Sequence, residues 1–370
     1  MKQMISPIAG IPVSFMLLLA WVTAAEAHDL PLHHLKMPEG FKVEVFAELT
    51  NPRQLARSES GIVYAGSRRA GNLYAIIDQN GDHVADEVIE IDSGLSLPSG
   101  IALSGNDLYV GAIETIFRYP NIDQSFRQNP EPEVFYNELP DKRHHGWKYL
   151  AFGPDERLYF NVGAPCNICL EENPWFATIM SMDLEDKLPE VYASGVRNSV
   201  GFTWHPKTGD LWFTDNGRDL MGDEIPPCEV NRAPEPGLHF GYPHIHGKDV
   251  PDPEFQREGF DFETPVTELG AHTAPLGLHF YEGDMFPEKY RGKLLVAEHG
   301  SWNRTPEAGH VGYRLTLVDP ETGASETFMD GWLQENVAWG RPVDLVPLPD
   351  GSLLLSDDHG NVIYRISYDE

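Results

Sequence analysis

The sequence predicts an all-β, six-bladed propeller. Three observations carry that expectation. One strand pattern recurs six times along the chain, and its copies are spaced as four-stranded blades are. Between them, 34 Gly and 30 Pro cut the chain into short pieces, and no stretch reads as a long amphipathic helix.

Each copy is a turn residue, an apolar or aromatic run, and then a small or polar residue. In order they are GIVYAG from Gly61, NDLYVGA from Asn106, ERLYFNVG from Glu156, GDLWFTDNG from Gly209, GKLLVAEHG from Gly292 and GSLLLSDDHG from Gly351. Their central residues Val63, Leu108, Leu158, Leu211, Leu294 and Leu353 are 45, 50, 53, 83 and 59 residues apart. The 83-residue step predicts a long insertion between the fourth and fifth copies. NLYAIID, TIFRYP and NVIYRISY read as following strands of the first, second and last blades. Because the last of these ends the chain, terminal strands are expected to close the ring. A β-sandwich would show turn signals every ten residues or so and no longer period. Inner strands of a propeller surround a channel. The polar residues ending the copies (Gly163, Asp215, Asn216, Glu298, His299, Asp357 and Asp358) are therefore expected around one funnel.

The first 27 residues read as a signal peptide. Lys2 gives a short positive region, Phe15 to Val22 an apolar one, and Ala25-Glu26-Ala27 a small-residue cleavage site. That run is too short for a comfortable membrane span. A periplasmic or secreted protein is expected, cleaved after Ala27, with residues 28–370 forming one catalytic domain and no stable membrane insertion. The net charge of −30, from 27 Lys+Arg against 57 Asp+Glu, repels nucleic acid and anionic lipid and attracts cations. Recurrent apolar runs exclude a disordered chain.

Three cysteines are present, Cys166, Cys169 and Cys228. An oxidising compartment permits a local Cys166–Cys169 bridge with Cys228 left over. Leu170 follows the CNIC stretch where a haem-attachment site would have His, and Pro165 and Asn167 suggest a structural loop.

Three constellations could carry chemistry. His144 and His145, just before the third copy, place imidazole at a funnel mouth, where it can act as a base near neutral pH. A lone His is more often a surface or satisfied core residue. Arg197-Asn198 offers several donors to a planar polyanion, or a turn paired to an acidic blade. The stretch Thr214 to Glu224 combines oxygen-bearing side chains with Gly, as calcium requires.

Together, HHGWKYLAFGPDERLYFNVG, GVRNSVGF, FTDNGRDLMGDEIPP, LHFGYP, APLGLHFY, AEHGSWNR and WGRPVD resemble the quinoprotein glucose, aldose and sorbosone dehydrogenases, which use pyrroloquinoline quinone. The resemblance runs from about Pro38 to the C-terminus and is closest to the sorbosone-dehydrogenase-like branch. It implies oxidation of a sugar, sugar aldehyde or related polyol. His145 would be the general base and Arg197 would stabilise negative charge on the reduced cofactor. Asn198, Arg341 and Asp357 would line the cofactor pocket. Main-chain carbonyls of Gly217 and Arg218 would hold Ca²⁺, and Glu224 falls near a carboxylate used for structural calcium. It also implies an external electron acceptor, a quinone or a cytochrome, because no CxxCH follows the propeller. Two departures matter. Ala164 stands where the glucose enzymes have the Asp that orients the catalytic His, and His144 replaces an acidic neighbour.

Asp78 to Asp86 reads as a hairpin turn more readily than as a calcium loop, and His239, His244 and His246 as loop histidines more readily than as a zinc site. Two other functions fit a propeller: a Ca²⁺-dependent hydrolase such as a lactonase, or a non-catalytic domain binding a glycan or protein. The first predicts a ring of Asn, Asp and Glu side chains, the second tolerance to loss of His145 and Arg197.

Overall fold

The computed structural model describes residues 30–369. Residues 1–27, read above as a signal peptide, lie outside the described residues. Six four-stranded antiparallel sheets follow one another as blades. Blade one comprises Pro52–Arg57, Val63–Ser67, Leu73–Ile77 and Glu87–Asp92. Blade two comprises Gly100–Ser104, Asp107–Gly111, Ile116–Tyr119 and Glu133–Tyr136. Blade three runs through Leu150–Phe152, Leu158–Val162, Thr178–Met182 and Pro189–Ser194. Blade four uses Phe202–Trp204, Leu211–Asp215, Pro227–Ala233 and Thr267–Ala271. Blade five uses Pro275–Phe280, Leu294–Glu298, Arg314–Val318 and Ser325–Met329. Blade six joins Pro342–Pro347, Leu353–Asp357 and Val362–Tyr368 to the N-terminal strand Phe41–Glu48. In that closure Phe41 pairs with Tyr368 and Glu48 with Val362, so both ends of the described chain lock one blade.

The recurring motif is the second strand of each blade. In blades one, three, four, five and six every residue of that strand is buried. The cause is its position: both faces of the strand press on neighbouring blades. Val63 packs with Leu354 and Ile363 of blade six, while its neighbour Tyr64 packs with Ile101, Leu108 and Val110 of blade two. A strand buried on both faces reads as a continuous apolar run. Outer strands are half-exposed, as in Glu133–Tyr136 and Ser325–Met329, and leave weaker signals.

The inner strands of neighbouring blades lie side by side around the axis. Close approach there requires glycine. A Cβ on Gly201 would sit 2.1 Å from the Leu276 carbonyl oxygen, and one on Gly277 would meet the Asp344 carboxylate at 2.3 Å. The long insertion, residues 234–266, lies within blade four, before its outer strand Thr267–Ala271, and adds Leu238–His239 to the edge of blade three. Residues 78–86 form the turn between two paired strands, as expected, with Asp78 and Asp86 accepting its main-chain N–H groups. Among the described residues no helix is long and apolar enough to cross a membrane.

Candidate active site

Loops entering the inner strands and loops leaving the second strands open on one face, where they enclose a cavity of about 450 Å³. His145, Arg197, Asn198, Gly217 and Arg341 all stand on its wall.

His145 is 7% exposed and adopts a left-handed backbone, φ 51°. Its Nδ1 lies 2.8 Å from the Ala164 carbonyl oxygen. A carbonyl only accepts, so Nδ1 carries the proton and donates it, which leaves the Nε2 lone pair free. The group that orients the imidazole is therefore the main chain of the residue whose side chain is missing. Burial, then Arg197 and His144, press the His145 pKa well below the ordinary 6.5. The ring is a neutral base at pH 7. His144 is exposed beside it, with ring centroids 4.1 Å apart. Gly163 makes the placement possible, because a Cβ there would meet the His145 Cβ at 2.6 Å.

Arg197 is 3% exposed; four of its five N–H groups are engaged, one of them on the Asp219 carboxylate at 3.3 Å, and the fifth is left for a ligand. Its Nε donates to the Asn167 carbonyl at 2.8 Å, one terminal nitrogen to the Asn216 carbonyl at 3.0 Å, and the other to the Asn167 side-chain oxygen at 2.9 Å. Cys166 and Cys169 are disulfide-bonded on either side of that Asn, so the bridged loop grips the guanidinium. Cys228 is free and buried, and burial pushes its thiol up.

Asp215 accepts the main-chain N–H groups of Arg197 and Asn198 at 2.8 and 2.7 Å. Two blades on, Asp357 accepts that of Arg341 at 2.8 Å. Both acids end a second strand and tether the arginine loop that enters the same blade. Burial pushes both carboxyls up to about 6. This corrects two expectations. Asp357, expected on the cofactor wall, is wholly buried behind it and also accepts from His359, Gly360 and the Tyr364 hydroxyl. Glu298, expected at the funnel, is buried against Arg314 and Thr316. Glu224, expected near a structural calcium and not at the cofactor, lies apart from this wall. Its carboxylate is 81% exposed and accepts from Arg304 at 2.9 Å. The Arg218 side chain is buried in ion pairs with Asp252 and Glu254.

Three further arginines, Arg53, Arg68 and Arg69, share the wall. Arg68 lies 3.7 Å above the Trp147 ring, with its Nε buried and unpartnered. Burial, then Arg53, brings its pKa down to about 9. Arg53 pairs with Asp358 at 2.9 Å, and Asp358 accepts from His299 Nε2 at 2.7 Å. Burial holds His299 near 4, hence neutral. The sequence carried one clue to these residues: Arg68-Arg69 follows the first repeat strand, at the station Asn216 and His299 occupy in other blades. Five arginines thus line one cavity of a protein with net charge −30. On that wall the Asn198 side-chain oxygen is a buried acceptor with no partner.

His239, His244 and His246 do not converge. Nδ1 of His239 accepts from Gly241, Nδ1 of His244 donates to the Phe255 carbonyl, and Nε2 of His246 pairs with Asp252. Among the described residues no three His, Cys, Asp or Glu side chains gather as metal ligands.

A family model described as Glucose / Sorbosone dehydrogenase matches residues 172–300. An uncharacterised protein of Borreliella burgdorferi is 35% identical over 358 residues, covering 91% of both chains. A pyrroloquinoline quinone-dependent pyranose dehydrogenase of Coprinopsis cinerea is 24% identical over 91% of this chain, which spans 55% of that protein's length. The holo pyranose dehydrogenase domain of that fungus superimposes with TM-score 0.74 at 20% identity, covering 90% of this chain and 97% of the domain. At that identity the superposition speaks for the fold.

Proposed function

Since the chain belongs to the glucose/sorbosone dehydrogenase family, we propose that it is a quinoprotein that oxidises a sugar, sugar aldehyde or related polyol in the periplasm or outside the cell. The observation that carries this reading is one cavity combining five arginines with a neutral imidazole whose Nε2 is free.

The wall fits pyrroloquinoline quinone. A planar tricarboxylate needs local cations in a protein of charge −30, and guanidinium groups match carboxylates in shape as well as charge. Arg53, Arg68, Arg69 and Arg341 would hold its carboxylates. Arg197, fixed by Asn167, would face the oxygen that becomes negative on reduction, and Asn198 would use its free acceptor on a ring N–H. Ca²⁺ would rest on the main-chain carbonyls of Gly217 and Arg218 together with the cofactor. When bound, this pair supplies a polarised quinone carbonyl that accepts two electrons.

The protein's own contribution is proton management. His145 Nε2 accepts the proton of the substrate hydroxyl (or of an aldehyde hydrate). The Ala164 carbonyl keeps the ring in the required tautomer, and as the imidazolium forms it stabilises the Nδ1–H. A carboxylate would stabilise it more, so His145 is a weaker base than a carboxylate-backed one. The electrons leave to an external acceptor, a quinone or cytochrome. A calcium hydrolase would need several carboxylate or amide oxygens around its ion; this wall offers the amides of Asn198, Asn216 and Asn303 and, among the described residues, one acid, Asp219, but the five arginines beside them call for an anionic cofactor.

The test is to add quinone and Ca²⁺ to purified protein and follow dye reduction with aldoses and sorbosone. Turnover should appear only with both additions. His145→Ala should lower it about 10²–10⁴-fold with quinone affinity kept, and His144→Ala only a few-fold. Sugar hydrolysis or lactone opening without quinone would refute the reading.

A further inference from the structure

Trp302 stands on the cavity rim with 70% of its surface exposed. An indole left in water forgoes roughly 25 cal/mol for every Å² of apolar area it could bury. Loose loops expose such residues by default, but this loop is fastened on both sides of the Trp. Before it, the Ser301 carbonyl accepts from the Tyr313 hydroxyl at 2.5 Å and from Arg341 at 3.1 Å. After it, Asn303 donates to the Asp219 carboxylate at 2.5 Å, and Arg304 reaches the Asp223 carbonyl and Glu224. Thr305 donates to the Asp223 carboxylate through its N–H and hydroxyl at 2.8 and 2.7 Å. Glu224 and Asp223 therefore serve as anchors for the Trp302 loop. The indole is the exposed member of a pinned segment.

We infer that Trp302 is the platform on which the sugar ring stacks, making it a specificity-determining residue. This rests on the dehydrogenase reading. A pyranose with equatorial hydroxyls presents a face of axial C–H bonds, which suits the flat apolar face of an indole. An acyclic polyol has no such face. Held against Trp302, a ring keeps its hydroxyl edge toward the polar wall that carries His145. The platform binds ground state and transition state alike, so its contribution falls on KM.

In quinone-loaded enzyme, Trp302→Ala should raise KM for a cyclic aldose about tenfold and change kcat less than about threefold. Trp302→Phe should recover most of the loss, and KM for an acyclic polyol should stay within about twofold. Because the side chain is exposed, the variants should fold, and circular dichroism checks this. A second readout needs no turnover: adding aldose should change the tryptophan emission of the wild-type protein but not of Trp302→Ala. Unchanged KM for the cyclic sugar, or equal emission changes in both proteins, overturns the platform. If loaded wild type oxidises no sugar, the dehydrogenase reading falls, and the emission titration still decides stacking by the same criterion.

Discussion

Gly163→Ala should disable the site with little damage to the fold. Its backbone needs no left-handed φ, so the added methyl acts through space alone. That methyl would lie 2.6 Å from the His145 Cβ, 2.8 Å from the His145 carbonyl oxygen and 3.3 Å from the Asn198 side-chain oxygen. Carbon atoms rest at about 3.5–4.0 Å, so His145 must retreat by about 1 Å. A retreat of that size takes the 2.8 Å bond between His145 Nδ1 and the Ala164 carbonyl beyond hydrogen-bonding range. Misplacement of a catalytic group by 1 Å costs about 10²-fold, and over-packing at one site costs about 1–3 kcal/mol of stability. The assay is dye-coupled kcat/KM on quinone-saturated protein, with quinone affinity and thermal midpoint measured beside it. A fall of about 100-fold at a midpoint lowered by a few degrees is expected. A folded, loaded variant within twofold of wild type would show that His145 is not held against Gly163, or is not the base.

The pH profile follows from the depressed His145 pKa. Because the folded value lies below 6.5, the base stays neutral until the pH falls through that lower value. The acid limb of kcat/KM should therefore lie below pH 6.5, and a limb at 7 or above would contradict the assignment. Arg68→Met should raise the thermal midpoint of the apoprotein, since it removes a buried charge crowded by Arg53, Arg69 and Arg341. It should weaken quinone binding about 10–100-fold, the range for one charge-assisted hydrogen bond; thermal unfolding of the apoprotein checks the first effect and equilibrium titration with quinone the second. Reducing Cys166–Cys169, or Cys166→Ser, should free Asn167 and lower kcat/KM several-fold. Denaturant titration should show little loss of global stability, because so short a closed loop constrains few unfolded conformations.

The blade count was legible because five of the six second strands are buried along their whole length, and burial on both faces writes a continuous apolar run. The place of the insertion was less so. Thr267–Ala271 alternates buried and exposed residues and carries no motif, so the end of blade four could not be separated from the insertion before it. Within the site, His145, Arg197 and Arg341 sit in sequence patterns, whereas Arg53 has none. Asp215 and Asp357 recur because each tethers a loop within its own blade, and the repeat does not distinguish a tether from a wall residue. The orienting partner of His145 was invisible for a different reason. It is a main-chain carbonyl, which every residue possesses, and only the loop path past Ala164 brings it within reach.

The central claim is that the arginine-lined cavity holds an anionic quinone through calcium. The most direct measurement is an absorbance titration of pyrroloquinoline quinone into the purified protein, with calcium present and after strong chelation. Binding should saturate at one quinone per chain with calcium and weaken sharply without it. It should also weaken in Arg341→Ala, whose guanidinium stands on the wall. Equal affinity with and without calcium, or binding indifferent to the loss of Arg341, would contradict the account.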